Sequence, residues 1–297
     1  MSQVEEAPLP EERTARLDGR LPIRPFALIG NELATLFRRW RTIALLSALA
    51  AIPVLIGIAV RVTEGRGDSG GGSGGPAFVG SITQNGLFVA FTALIVSIPV
   101  FLPLTVSVVA GDTIAGEASL GTLRYLLVAP VGRVRLLVVK FVAAVAFDVA
   151  AVLTLVVFGV IVGAILFHIG PIPLLSGNTV GFGGFVVRVL LLAAYASVSL
   201  IGLTALGLFI STLTTVPVGA MAATVVLAAV AQVADALPQL SWLHPWLFSH
   251  YWLGLGDFLR APLVWSSFGE NALLQAGYVV VFGLLAWARL TTKDILS

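Results

Sequence analysis

The chain has 297 residues, of which 58% are hydrophobic and only 11% charged, with a net charge of +2. Soluble domains carry roughly 25% charged residues, so charge is too sparse here to coat a water-facing surface, and lipid must solvate much of the molecule. The absence of cysteine excludes disulfides and thiolate metal sites, and no basic tract interleaved with aromatics marks a nucleic-acid surface.

Residues 1–22 are an acidic, proline-bearing tail expected to be disordered. From 23 to 41 the pattern becomes amphipathic. Phe26, Ile29, Leu33, Leu36 and Phe37 fall on one helical stripe, and Glu32, Arg38, Arg39 and Arg41 supply the polar side. This predicts an interfacial helix lying on the membrane surface and feeding the first span.

Residues 42–297 read as one domain of six spans. Segments 42–60, 87–109, 136–167, 189–210, 217–234 and 272–288 each approach or exceed the roughly 20 apolar residues a bilayer-spanning helix needs. Pro99 and Pro103 remove backbone donors from the second span and predict a kink. Gly219, Ala220, Ala222 and Ala223 make the fifth span suited to close helix contact. The polar stretch ahead of the first span is too long for a signal-peptide n-region, so that span is expected to stay as an anchor. An even number of spans puts both termini on one side. Most Arg and Lys residues fall there, against Arg61, Arg66, Arg188 and Arg260 on the other side. The positive-inside bias therefore places both termini in the cytoplasm.

Between the second and third spans lies a polar island, 111–130. Asp112 is placed to cap a short helix and Ser119 to cap a second turn. Leu120, Leu123 and Leu127 then share an apolar stripe, Glu117, Gly121 and Arg124 share another face, and Pro130 ends the helix. Such an element can dock in a groove of a soluble partner; equally, its leucines can rest on lipid while its charges face water. Further along, Asp148 is an acidic residue deep in the third span. A central charge costs roughly 2.5–3.5 kcal/mol on insertion scales, which makes it a functional candidate; a hydrogen bond to Ser or Thr on a neighbouring helix, or water at the inner membrane boundary, accounts for it equally well.

The outer segment 236–271 holds Trp242, Trp246, Trp252 and Trp265, broken by Pro238, Pro245 and Pro262. Indole rings favour the headgroup level, which predicts re-entrant or interfacial helices before the last span. His244 and His250 in this stretch read as interfacial hydrogen-bonding groups, and no metal site is expected. The chain has neither a P-loop nor an H-E-x-x-H, so it is expected to bind no nucleotide or other cofactor itself and not to be an enzyme.

Glu117, Gly121, Thr122, Leu123, Leu126, Leu127, Pro130, Arg133 and Lys140 follow the pattern of the loop between the second and third spans of ABC type-2 exporters. Val139 stands where that family usually has Gly, and Gly132 replaces a frequent Ser. With the N-terminal helix, the six spans and the outer helical insertions, the chain resembles the membrane subunit of this ABC-2 permease family along nearly its whole length. The resemblance implies an all-α integral membrane protein in a bacterial cell membrane. Its 111–130 coupling helix would meet a separate ATP-binding subunit through Asp112, Glu117, Gly121, Thr122 and Arg124. Glu32, Arg38, Arg39, Arg133 and Lys140 would form the cytoplasmic interface. Two ATPase chains would carry the ATP and Mg, and a second permease chain, identical or related, would complete the path for a drug, lipid or peptide. A membrane-embedded enzyme would instead need clustered titratable groups near one interface. A non-transporting assembly subunit would not need a docking helix.

Overall fold

The computed structural model describes residues 25–65, 85–86, 88–121, 132–168, 172–173, 179–260, 262–263 and 265–292. The helices in chain order are α1 (Pro25–Arg38), α2 (Trp40–Gly65), α3 (Phe88–Ser97), α4 (Phe101–Ser119), α5 (Arg133–Leu166), α6 (Phe182–Leu213), α7 (Pro217–Ala236) and α8 (Ser266–Thr292). Short 3₁₀ helices at Pro238–Leu240, His244–Trp246 and Trp252–Leu259 fill the α7–α8 connection. Ile172 and Pro173 pair antiparallel with Val180 and Thr179, a two-residue ladder that the all-α reading did not include.

Five helices, α2, α5, α6, α7 and α8, are each long and apolar enough to cross a membrane. The α3–α4 pair meets that test only as a unit, bent by 58°, so the number becomes six if the pair is one span. The break falls at Pro99. Proline has no N–H to offer the carbonyl four residues back, and its ring clashes there. Ile98 still donates to Leu94 O at 2.8 Å, and the ladder resumes where Leu104 donates to Val100 O at 3.1 Å. Pro103 contributes nothing to the break, because it sits in the first turn of α4, where N–H groups have no helical partner in any case.

The amphipathic stretch expected as one helix over 23–41 is divided. A bend at Arg39 separates α1 from α2, which begins two residues before the expected span. Leu36 of α1 packs against the main core, and α1 lies along α5 as well as α2. Glu32 does not stay on the solvent side, as the helical wheel implied, but turns in toward α5.

α6 is the central helix: 67% of its most apolar stretch is buried, against 22% for α7 and 17% for α8. Leu192, Tyr195, Ala196, Leu200 and Leu203 of α6 meet Phe147 and Leu155 of α5 and Leu94, Ile98 and Leu102 of α3–α4 in one continuous core. The outer faces of α2, α7 and α8 expose Leu55, Val226, Val230, Val280 and Leu284, an apolar surface that suits hydrocarbon. On α7 only Ala220 of the four small residues is buried. It lies against Gly111 of α4, where a side-chain carbon would come within 2.7 Å of the Met221 amide nitrogen. The two backbones touch there because Gly111 has no side chain and Ala220 only a methyl.

α8 begins at Ser266, six residues before the expected span, and buries two amide side chains in its first turns. Asn271 Nδ2 donates to Ser199 Oγ at 2.7 Å and Gln275 Nε2 to Phe248 O at 3.0 Å, while Gly202 N donates to Gln275 Oε1 at 3.1 Å. Trp252 Nε1 donates to Ser199 O at 2.9 Å and Tyr195 OH to Tyr251 O at 2.6 Å. Buried polar groups are tolerated when paired in this way. The result is that the aromatic 3₁₀ segment is fastened to α6 and α8, with Trp252 enclosed and Trp242, Trp246 and Trp265 left exposed.

Candidate functional site

The ends of α1, α4 and α5 converge on a cluster of alternating charges. Lys140 lies two turns into α5, on the face that also carries Leu136, Leu137, Ala143 and Ala144, all buried. An ammonium so placed must be paired or lose its charge. Two carboxylates meet it: Lys140 Nζ donates to Glu32 Oε1 of α1 at 2.6 Å and to Glu117 Oε1 of α4. Lys140 is 3% exposed, Glu117 15% and Glu32 25%, so the ammonium is enclosed while both carboxylates keep some contact with solvent, most of it at Glu32.

A second group adjoins it. Arg41 Nη1 donates to Asp112 Oδ2 at 3.1 Å, and Arg39 Nη1 reaches the same oxygen at 3.5 Å. Glu32, Asp112 and Glu117 are thus matched by Arg39, Arg41 and Lys140, and a single small cleft touches Glu32, Asp112 and all three cations. Electrostatically the cluster is a joint. It holds α1, α2, α4 and α5 in register with little net charge.

Asp112 does not begin a helix. α4 runs unbroken from Phe101 to Ser119, because nothing between Pro103 and Gly121 interrupts it, and the Asp112 carboxylate is used by α1–α2 arginines instead of backbone amides. Ser119, expected to cap a second turn, donates to Gly116 O at 2.8 Å in the last turn of the same helix. Gly121 has a mechanical role that the sequence pattern did not reveal. Its φ of +72° is left-handed, and its N–H returns to Ala118 O at 3.1 Å, the arrangement that ends helices where a Cβ would be strained.

Arg133 lies at the start of α5 and donates from Nη1 to Leu290 O at 2.9 Å and Thr291 O at 2.8 Å. It caps the carbonyl end of α8, where a cation also complements the helix dipole. Arg133 therefore places the chain's last described helix at the same end of the bundle as α1. Arg38 is exposed in the last turn of α1. Thr122 and Arg124, with Leu123, Leu126, Leu127 and Pro130, lie outside the described residues.

Two features escaped the sequence. Ser211 of α6 is wedged into the α4 ladder: its hydroxyl donates to Gly111 O at 2.7 Å and accepts from Ile114 N at 3.0 Å and Ala115 N at 2.8 Å. The hydroxyl thereby ties α6 to the α4 backbone at the boundary between its apolar part and its charged part without breaking the helix. A serine near the end of an apolar segment gives no sequence signal for this. The other is the pairing of Glu32 with Lys140 across 108 positions, which no local spacing can show.

Asp148 lies two turns deeper in α5 than Lys140. It is fully buried, and neither carboxylate oxygen has a hydrogen-bond partner among the described residues. The hydroxyls of Ser97 and Ser107, on either side of the Pro99 break, are unpartnered in the same way.

A comparison with curated proteins finds no match. Residues 76–296, well over half of the chain, match the family described as "Protein of unknown function (DUF2705)", and the chain belongs to that family.

Proposed function

We propose that the chain is the membrane permease subunit of an ATP-driven exporter of the ABC type-2 class. The observation that carries this reading is the joint in which Lys140 ties Glu32 of α1 to Glu117 of α4. The loop pattern that resembles the family's coupling segment is flanked by Glu117 on one side and Lys140 on the other. A push on residues 120–131 would therefore reach α4, α5 and α1 together.

In this reading α3 and α4 form one broken span, giving six, and both termini are cytoplasmic, as the Arg and Lys distribution favours. α1 is the interfacial helix, and the 3₁₀ segment with its exposed Trp242 and Trp246 sits in the outer leaflet of a bacterial cell membrane. The exposed end of α4, with the residues that follow it to 130, docks on a separate ATPase, which holds ATP and Mg and performs the hydrolysis. Two permeases and two ATPases assemble, with the outward-facing Gly219, Ala222 and Ala223 of α7 available for close helix contact between permeases. The cargo is hydrophobic or amphipathic, a drug, lipid or peptide.

The test is co-expression with an ATP-binding-cassette subunit, purification on a tag carried by this chain, and native mass measurement with an ATPase assay. A complex of two permeases and two ATPases, with ATP hydrolysis weakened by Arg124→Ala, is the expected result. ATP hydrolysis by this chain alone, or failure of any such subunit to associate, would overturn the proposal.

A further inference from the structure

At the opposite end of the bundle, three ligand-bearing side chains from three local elements come together. Asp235 closes α7, His244 opens the second 3₁₀ helix, and His250 lies in the turn before the third. One ligand atom from each residue lies within 4.8 Å of the others. Asp235 Oδ1 and His250 Nδ1 are already 2.6 Å apart, and the His244 and His250 rings are 5.9 Å apart between centres.

Two imidazoles and a carboxylate are a ligand set that Zn²⁺ takes in open sites, with water in the fourth position. Bonds of about 2.0–2.1 Å put the ligand atoms of a tetrahedral site roughly 3.3 Å apart. Side-chain rotations that draw the widest pair in by up to about 1.5 Å and let Asp235 Oδ1 and His250 Nδ1, now 2.6 Å apart, part slightly would bring the cluster to that spacing. None of the three residues is fully buried, so a cation can enter. The backbone that carries the histidines is held by the Gln275, Trp252, Tyr195 and Tyr278 hydrogen bonds, so the ligands are gathered before any ion arrives. Tyr251 meets the His250 ring edge-on at 5.0 Å and packs it in place. The spacing of the two histidines could not point here, because the third ligand comes from the end of α7.

We propose that Asp235, His244 and His250 form a divalent transition-metal site, best suited to Zn²⁺, that clips the end of α7 to the aromatic 3₁₀ segment. The cation would take the place of the proton shared between Asp235 and His250.

The test uses the full chain, purified in detergent with an affinity tag that contains no histidine, and Co²⁺ alone as a spectroscopic substitute for Zn²⁺. Wild type should take up one Co²⁺ per chain with the intense visible bands of a four-coordinate ion. Zn²⁺ alone should displace it and raise the unfolding temperature. His244→Ala, His250→Ala and Asp235→Asn should each weaken binding by more than the roughly 10-fold to 100-fold that even outer partners of a metal are worth. His168→Ala, at a histidine outside the cluster, should bind as wild type does. X-ray absorption on the zinc-loaded wild type should find two imidazoles and a carboxylate oxygen, independently of how well any variant folds. No stoichiometric uptake by wild type, or uptake that all three cluster variants retain, would overturn the proposal.

Discussion

Lys140 of α5 and Glu117 of α4, 23 positions apart in the chain, meet in an ion pair almost closed to solvent. Glu32 reaches the same ammonium from α1, so one lysine fixes three helices. The arrangement is asymmetric in its energetics. Losing a carboxylate leaves the lysine one partner, whereas losing the lysine leaves two carboxylates facing each other.

Lys140→Met should therefore destabilise the protein strongly. Breaking a buried pair by removing one partner costs about 3–5 kcal/mol. The lower end applies here, because Glu32 is 25% exposed and water can reach it. Glu117→Gln should cost less, and the double variant Lys140→Met/Glu117→Gln should recover part of the loss. Thermal unfolding in detergent reads all three. A Lys140→Met protein as stable as wild type would mean that the pair does not hold the helices.

Asp148 should behave in the opposite way. Its two oxygens are buried without hydrogen-bond partners among the described residues, so the native state carries a desolvation penalty with no matching gain. Asp148→Leu, which keeps the branched outline of the side chain without its polar atoms, should stabilise the fold by about 1–3 kcal/mol, the usual cost of an unsatisfied buried group. If the residue serves function, the same variant should lose transport while gaining stability. A fall in unfolding temperature would show that the carboxylate has a stabilising partner.

The helical architecture was legible because apolar runs of spanning length are a direct consequence of solvation by lipid, and the break at Pro99 followed from one missing N–H. The rest depended on distance in the chain. Asp112 carries the signature of a cap, yet α4 passes straight through it, because Arg39 and Arg41, some seventy positions earlier, claim its carboxylate. Asn271 fell at the end of the outer segment and Gln275 inside the last span, and hydropathy shows for neither amide the partners that wait for it. Lys140 was legible as part of a motif, but its burial depends on two carboxylates from other helices. Sequence periodicity reports one helix at a time, and the charged end of this bundle is built between helices.

Gly111 and Gly277 offer a test of where helices touch. A methyl group at Gly111 would approach the Met221 backbone within 2.7 Å, which forces α4 and α7 apart, whereas nothing lies within 4 Å of the corresponding position at Gly277 in α8. Gly111→Ala should destabilise by about 1–3 kcal/mol, the usual cost of overpacking. Gly277→Ala should leave stability unchanged or raise it by up to about 1 kcal/mol, since alanine restricts the unfolded chain and favours helix. Unfolding measured side by side gives opposite signs if α4 and α7 cross at this point. The same sign for both would move the contact elsewhere.

Gln275 supports the whole aromatic segment from within α8. Its Nε2 donates both to Phe248 O and to Asn271 Oδ1, at 3.0 and 3.1 Å, and its Oε1 accepts from Gly202 N. Gln275→Leu keeps the volume but leaves the Phe248 carbonyl and the Asn271 oxygen without that donor in a closed site. The loss should be about 1–3 kcal/mol, the penalty of buried groups left unpaired. Its effect should be local first: Phe248 anchors the chain between the second and third 3₁₀ helices, so release there frees residues 238–260 before the helices separate. Hydrogen exchange is the sensitive measurement. Amides of the 3₁₀ segment should exchange faster in Gln275→Leu, while those of α3 and α5 keep wild-type protection. Uniformly faster exchange across the bundle would show that Gln275 supports the fold globally, and unchanged exchange at 238–260 would show that Trp252 and Tyr195 hold the segment without it.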